Sequence, residues 1–169
     1  MSDWVLERFF HTVVNCRDIG ESVDFYKLLG FVVVYDRRDF VWPEYLAELF
    51  GMKRAQGRGV LMTLPSDPQG PMLDLIEWLE PKAVFTDPAD IPVTVSRTIA
   101  FRTRGVHAAY KMLSAKGVRF TRPSVTPPEA TGIIAIAFCY DPSGNVVELI
   151  ELAPGYDPAK QDDALPPTL

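Results

Sequence analysis

The chain repeats itself, and this duplication limits its fold more tightly than any single motif. Phe10-His11-Thr12-Val13-Val14 reads as a strand, Asp18 to Leu29 as a helix ended by Gly30, and Phe31-Val32-Val33-Val34-Tyr35 as a second strand. The order then recurs. Arg97-Thr98-Ile99-Ala100-Phe101 reads as a strand, Val106 to Lys116 as a helix ended by Gly117, and Val118-Arg119-Phe120 as the next strand. One offset relates both Gly30 to Gly117 and His11 to Thr98. A glycine just past a helix supplies the left-handed residue with which many helices close, so this punctuation has a backbone cause.

The later part of each repeat is related by a second, shorter offset. Asp67-Pro68-Gln69-Gly70 matches Asp141-Pro142-Ser143-Gly144, and Leu73-Asp74-Leu75-Ile76-Glu77 matches Val147-Glu148-Leu149-Ile150-Glu151. Each DPxG is turn chemistry between apolar strands, Val60–Leu64 before the first and Ile134–Phe138 before the second. Strand, helix, strand, strand, strand therefore occurs twice, which predicts an α+β chain of two βαβββ units. The offsets differ because the first unit carries an insertion, Asp36–Arg58, where Pro43 to Phe50 predicts a short helix before Gly51. Within a single domain over 1–169, the first unit is placed at 8–81, a connector at 82–95 and the second unit at 96–153. A polar, Pro-rich tail at 154–169 is expected to be mobile or loosely docked.

Composition narrows the chemistry. A net charge of -5 and a pI near 5.0 argue against nucleic acid or an anionic membrane as partner. Apolar runs such as Phe31–Tyr35 and Ile133–Cys139 are too short to span a bilayer. The start, Met1-Ser2-Asp3-Trp4, shows no apolar core of a secretory signal, and Cys16 and Cys139 are too few for a disulfide scaffold. A reduced, cytoplasmic protein is expected. The two histidines, His11 and His107, exclude a three-His metal site, and no Gly-rich phosphate loop, GxSxG or HExxH motif is present.

Strand alternation then groups the polar residues. His11, Val13 and Asn15 share one face of the first strand, and Met72, Asp74, Ile76 and Trp78 share one face of the strand after DPQG. Their repeat equivalents are Thr98, Ala100 and Arg102, then Val146, Glu148 and Ile150. A carboxylate inside an apolar strand is costly unless it is paired or binds metal, so Asp74 and Glu148 beside His11 form a candidate metal or acid/base set. Glu77 and Glu151 are equally equivalent and have the opposite parity. Parity alone leaves open which pair faces inward, and His11 as a hydrogen-bonded core histidine also stays open.

The residues resemble the vicinal oxygen chelate superfamily, which includes glyoxalase I, methylmalonyl-CoA epimerase, bleomycin- and fosfomycin-resistance proteins and extradiol dioxygenases. The resemblance rests on Phe10-His11-Thr12-Val13-Val14-Asn15, on Asp18 to Tyr26 with Leu29-Gly30-Phe31, on Leu73 to Trp78, and on Asp141 to Leu149. It implies two βαβββ units forming a cup-shaped mixed sheet, the glyoxalase/bleomycin-resistance/dioxygenase fold, and a homodimer. It also implies metal ligands at the positions of His11, Asp74, Thr98 and Glu148. This chain has Asp74 where Glu or Gln is usual and Thr98 where His is usual. His11, Asp74 and Glu148 remain as ligands for one divalent ion (Zn, Ni, Co, Mn, Fe or Mg), and the replacement at Thr98 leaves room for a chain without metal.

The resemblance leads to a metal-dependent lyase or isomerase of glyoxalase or epimerase type. Such an enzyme acts on a small carbonyl or thioester compound through an enolate, with Glu148 as the carboxylate that moves the proton. Asn15, Arg102, Trp78, Met72 and Thr98 are the candidate substrate-binding residues. The alternatives are a metal-free protein that binds an antibiotic-like small molecule, and a ring-cleaving dioxygenase, which the single strand histidine disfavours. Phe40, Trp42, Tyr45 and Phe50 of the insertion, with Met52 and Met62, form either an apolar lid or an apolar packing surface. Arg37, Arg38, Lys53, Arg54 and Arg58 give the insertion a local positive charge, for an anionic substrate tail or simply for solvent.

Overall fold

A computed structural model describes residues 9–43, 46–49, 53–84, 98–127 and 132–155. In chain order the elements are β1 (His11–Cys16), α1 (Ile19–Leu28), β2 (Val32–Asp36), α2 (Leu46–Leu49), β3 (Gln56–Thr63) and β4 (Met72–Glu80), then β5 (Thr98–Arg102), α3 (Val106–Ala115), β6 (Ile133–Tyr140) and β7 (Val146–Leu152). They form two sheets, one ordered β1-β4-β3-β2 and one ordered β5-β7-β6. The strand order β1-β4-β3 is repeated by its equivalents β5-β7-β6, so the duplication is a duplication of topology. The first sheet is mixed: β1 runs parallel to β4, while β3 is antiparallel to both β4 and β2.

The chain divides into two compact units. One comprises 1–97 with 140–146, the other 98–139 with 147–169. The turn 141–144 is thus counted with the first unit although it belongs by sequence to the second repeat, and its hydrogen bonds explain why. Ser143 Oγ accepts from the Arg17 backbone N–H at 2.8 Å, Asn145 Nδ2 donates to the Asn15 carbonyl at 3.2 Å, and Tyr26 donates its hydroxyl to Asp141. Asp141 is buried, and burial pushes its carboxyl upward while bonds from Asn145, Ser143 and Tyr26 pull it back.

Helices α1 and α3 begin and end for reasons written in the repeat. Asp18 caps α1 by accepting from the Glu21 backbone N–H, and Gly30 follows with φ 95°. Gly117 follows α3 with φ 85°. Gly105, at the start of α3, has no side chain to offer a cap. That need is met from a strand: Val106 N–H donates to Glu151 Oε2 at 3.1 Å, as Ile19 N–H donates to Glu77 Oε2 in the first repeat. Glu77 also receives the guanidinium of Arg58 at 3.0 Å. A carboxylate at a helix N-terminus satisfies orphan N–H groups and complements the dipole.

The face of the first sheet toward α1 is the core. Val14, Cys16, Val60, Met62, Leu73 and Leu75 are buried there with Ile19, Val23 and Tyr26 of α1. Each such side chain contributes about 1.5–3 kcal/mol. Both cysteines are free and buried, and burial pushes the Cys16 thiol to about 12, so it is no nucleophile.

Three details depart from expectation. The strand expected at Val118–Phe120 is reduced to an isolated bridge, Phe120 to Cys139. A short helix is present within Pro43 to Phe50, described at Leu46–Leu49, while β3 starts at Gln56, inside the expected insertion. The basic residues there are largely occupied: Arg38 pairs with Asp36, Arg54 with Glu80 and Arg58 with Glu77. The tail beyond 155 and most of the connector, with Tyr45, Phe50 and Met52, lie outside the described residues. Among those described, no helix is long and apolar enough to cross a membrane.

The Gly105 and Val106 N–H groups hold the Glu151 carboxyl below its ordinary value, so its contribution is present at neutral pH and is lost as pH falls through that lowered value. Glu151→Ala should cost about 1 kcal/mol at pH 7 and progressively less in acid, read from urea unfolding across pH.

Candidate functional site

With Glu77 and Glu151 committed to helix ends, the strand faces are assigned. Asp74 and Glu148, of opposite parity, lie on the faces turned away from α1 and α3 respectively. Register places Val13 opposite Asp74, Asn15 opposite Ile76, and Gly59 opposite Ile76 on the other side. His11, Asn15, Asp74 and Trp78 therefore share one face of the first sheet. Glu148 on β7, and Thr98 and Arg102 on β5, sit on the second sheet. Thr98 and Arg102 are exposed at the two ends of β5, and Glu148 is half-buried.

The structure brings together His11 and Asp74, with Nε2 turned to Oδ2 at 3.9 Å. That gap is too wide for a hydrogen bond. His11 Nδ1 is buried without a hydrogen-bond partner among the described residues. Asp74 is likewise without one, and burial pushes its carboxyl above the ordinary value, partly opposed by His11. Burial raises Glu148 too. Two carboxyls kept partly out of water, one facing an imidazole across an open gap, are costly for folding and suited to proton transfer or cation binding.

An imidazole nitrogen and a carboxylate oxygen facing each other suit a hard or borderline divalent ion, and on that ground the pair fits one. Among the described residues, no three His, Cys, Asp or Glu side chains are gathered closely enough to hold an ion. Metal-bound histidines usually donate their other nitrogen to an acceptor, and Nδ1 of His11 has none. His107 is engaged elsewhere, at 2.7 Å from Ser124 Oγ and 3.1 Å from Thr126 Oγ1.

Trp78 and Asn15, expected to bind substrate separately, are linked: the indole Nε1 donates to Asn15 Oδ1 at 2.9 Å. Met72 is half-buried on the same face. Sequence reasoning left the place of Trp42 undecided. It stands edge-on to Trp78, with ring centroids 5.4 Å apart and planes at 88°. The overlooked signal was Gly57-Arg58-Gly59, two glycines on one face of a strand, a pattern that marks close approach by another group.

A carboxylate held partly out of water lowers stability wherever it is ionised. Asp74→Asn should stabilise the fold at pH 7 by about 1 kcal/mol, and the gain should shrink as pH falls through the raised value, as thermal unfolding at several pH values would show.

Comparison with known proteins agrees with this architecture. The family model described as Glyoxalase/Bleomycin resistance protein/Dioxygenase superfamily matches residues 8–149. Among solved structures, a glyoxalase family protein from Bacillus cereus is similar at TM-score 0.75 and 13% identity, covering 90% of this chain and 99% of that one. A superfamily member from Sphaerobacter thermophilus is similar at TM-score 0.55 and 24% identity, covering 86% and 98%. The trypanothione-dependent glyoxalase I of Leishmania major is similar at TM-score 0.57 and 18% identity, covering 86% and 87%. No curated protein matches the sequence. The chain belongs to the glyoxalase/bleomycin resistance protein/dioxygenase superfamily.

Proposed function

We propose that the chain is a lyase or isomerase of glyoxalase or epimerase type, acting on a small carbonyl or thioester compound through an enolate. The observation that carries this reading is the His11–Asp74 pair, left unbonded on the face away from α1 while the alternative carboxylates cap helices. His11 and Asp74 would hold a divalent ion, with Glu148 carried over from the family pattern. When bound, the ion supplies Lewis acidity that stabilises an enolate oxygen. The chain supplies the rest. Glu148, whose carboxyl burial raises, is suited to take the proton from carbon and return it. Asn15 offers an amide and Arg102 an exposed guanidinium to substrate oxygens.

One observation favours a second reading, a metal-free small-molecule binder. The position usually held by a ligand His carries Thr98, an exposed neutral hydroxyl.

The two readings separate by experiment. Elemental analysis of protein purified without chelator should find close to one divalent ion per chain, lost in His11→Ala. Enolate formation should appear as solvent-deuterium exchange at the carbon beside the carbonyl in a panel of 2-oxoaldehyde–thiol adducts and acyl thioesters. Glu148→Gln should reduce exchange at least about a hundredfold with the fold intact. Protein that takes up no ion on titration and exchanges no panel member supports the binder instead.

A further inference from the structure

We propose that Arg37 is the recognition point for an oxyanion, a carboxylate or a phosphate, on the compound whose carbonyl meets the His11–Asp74 pair. The inference rests on the preceding reading and deepens it, since it gives the substrate a negative group at its far end.

An irregularity in β2 places the residue. Val32 and Val33 pair with Thr63 and Met62, whereas Tyr35 and Asp36 pair with Leu61 and Val60, so Val34 is the extra residue of a β-bulge. Without it, Tyr35 and Arg37 would fall opposite Val60 and Arg58, on the face turned to α1. One added residue exchanges the faces of everything that follows. Tyr35 instead stands opposite Leu61, and Leu61 opposite Asp74, in one row across β2, β3 and β4. The Arg37 N–H donates to the Gly59 carbonyl at 3.0 Å, which continues the register past Asp36. Arg37 therefore takes the parity of Tyr35, on the face that carries His11 and Asp74. Two strand spacings separate Tyr35 from Asp74, about 10 Å.

The bulge also sorts the charges. Arg38 pairs with Asp36 at 2.6 Å and Arg58 pairs with Glu77 at 3.0 Å, both on the α1 side. Among the described residues no carboxylate pairs with Arg37, and Asp39 in the following turn is exposed without reaching it. Its side chain is nonetheless held. Nε donates to the Tyr35 hydroxyl, and the guanidinium carbon lies 4.7 Å from the Tyr35 ring centroid and 5.0 Å from that of Phe40. Contact with two rings fixes the plane of the guanidinium. The terminal nitrogens Nη1 and Nη2 make no hydrogen bond among the described residues. A planar fork already oriented matches two oxygens of one carboxylate or phosphate. A solvated cation requires neither a bulge to place it nor two rings to orient it.

The test is calorimetric titration of the full-length chain with the S-acetyl thioesters of ω-mercaptohexanoate, of its uncharged primary amide and of ω-mercaptohexyl phosphate. At least one charged probe should bind about tenfold tighter than the amide. Arg37→Gln should erase that difference and leave amide binding unchanged. Arg37→Lys keeps the charge but loses the fork, and should restore only part of it. Tighter binding of the acid than of the phosphate assigns a carboxylate ligand, and the reverse assigns a phosphate. Equal binding of all three probes, a charge preference that persists in Arg37→Gln, or no binding of any probe overturns the subsite. Arg37-dependent binding in a chain that exchanges no panel substrate keeps the subsite and overturns the enzymatic reading. Exchange activity with indifference to the charge of the probe does the reverse.

Discussion

The bond from the Ile19 N–H to Glu77, with its copy from Val106 to Glu151, decides the orientation of everything on β4 and β7. A strand has two faces and a carboxylate every third residue would present itself to both. Once one carboxylate is drawn under a helix start, where four N–H groups lack partners, the other is sent to the opposite face. Asp74 has no comparable donor among the described residues, and its carboxyl is raised by burial. The helix cap thus protects fold stability at one end of a short stretch while the other end carries a costly group. Groups that lower stability and recur at equivalent positions are where function is sought.

The topology was legible because each repeat carries its own punctuation. Gly30 and Gly117 close helices and the DPxG turns close hairpins, in the same order in both repeats although the insertion lengthens the interval between them in the first. What resisted was anything set by partners distant in sequence. Val118–Phe120 has the composition of a strand, yet only the Phe120–Cys139 bridge forms, because a ladder needs a neighbour in register as well as propensity. The start of β3 was hidden by Gly57 and Gly59, which depress strand propensity locally while the strand serves as a seat for Trp42.

The site was legible as a list of residues but not as an arrangement. Parity grouped His11 with Asn15 and Asp74 with Trp78 but could not choose between Asp74 and Glu77, since both choices are self-consistent until a helix end is placed. Nor does periodicity reveal that Trp78 is bonded to Asn15, or that an insertion residue returns to stand against it. Both links run across strands and loops. The glycine pair was the one local trace of them, an alternation of absent side chains within a strand.

The turn at 141–144 has a further consequence. Its Asp141 and Ser143 are buried, and they meet Tyr26 and Ser22 of α1 and the backbone of Arg17 just before it. The first repeat is therefore not autonomous, since part of its polar interior is furnished by residues more than a hundred positions later. The two repeats are similar in sequence, but the polar partners of the first are drawn in part from the second. Cutting the chain at the connector would take from the first repeat the residues that bond Tyr26, Ser22 and the Arg17 N–H and would open that part of its interior to water.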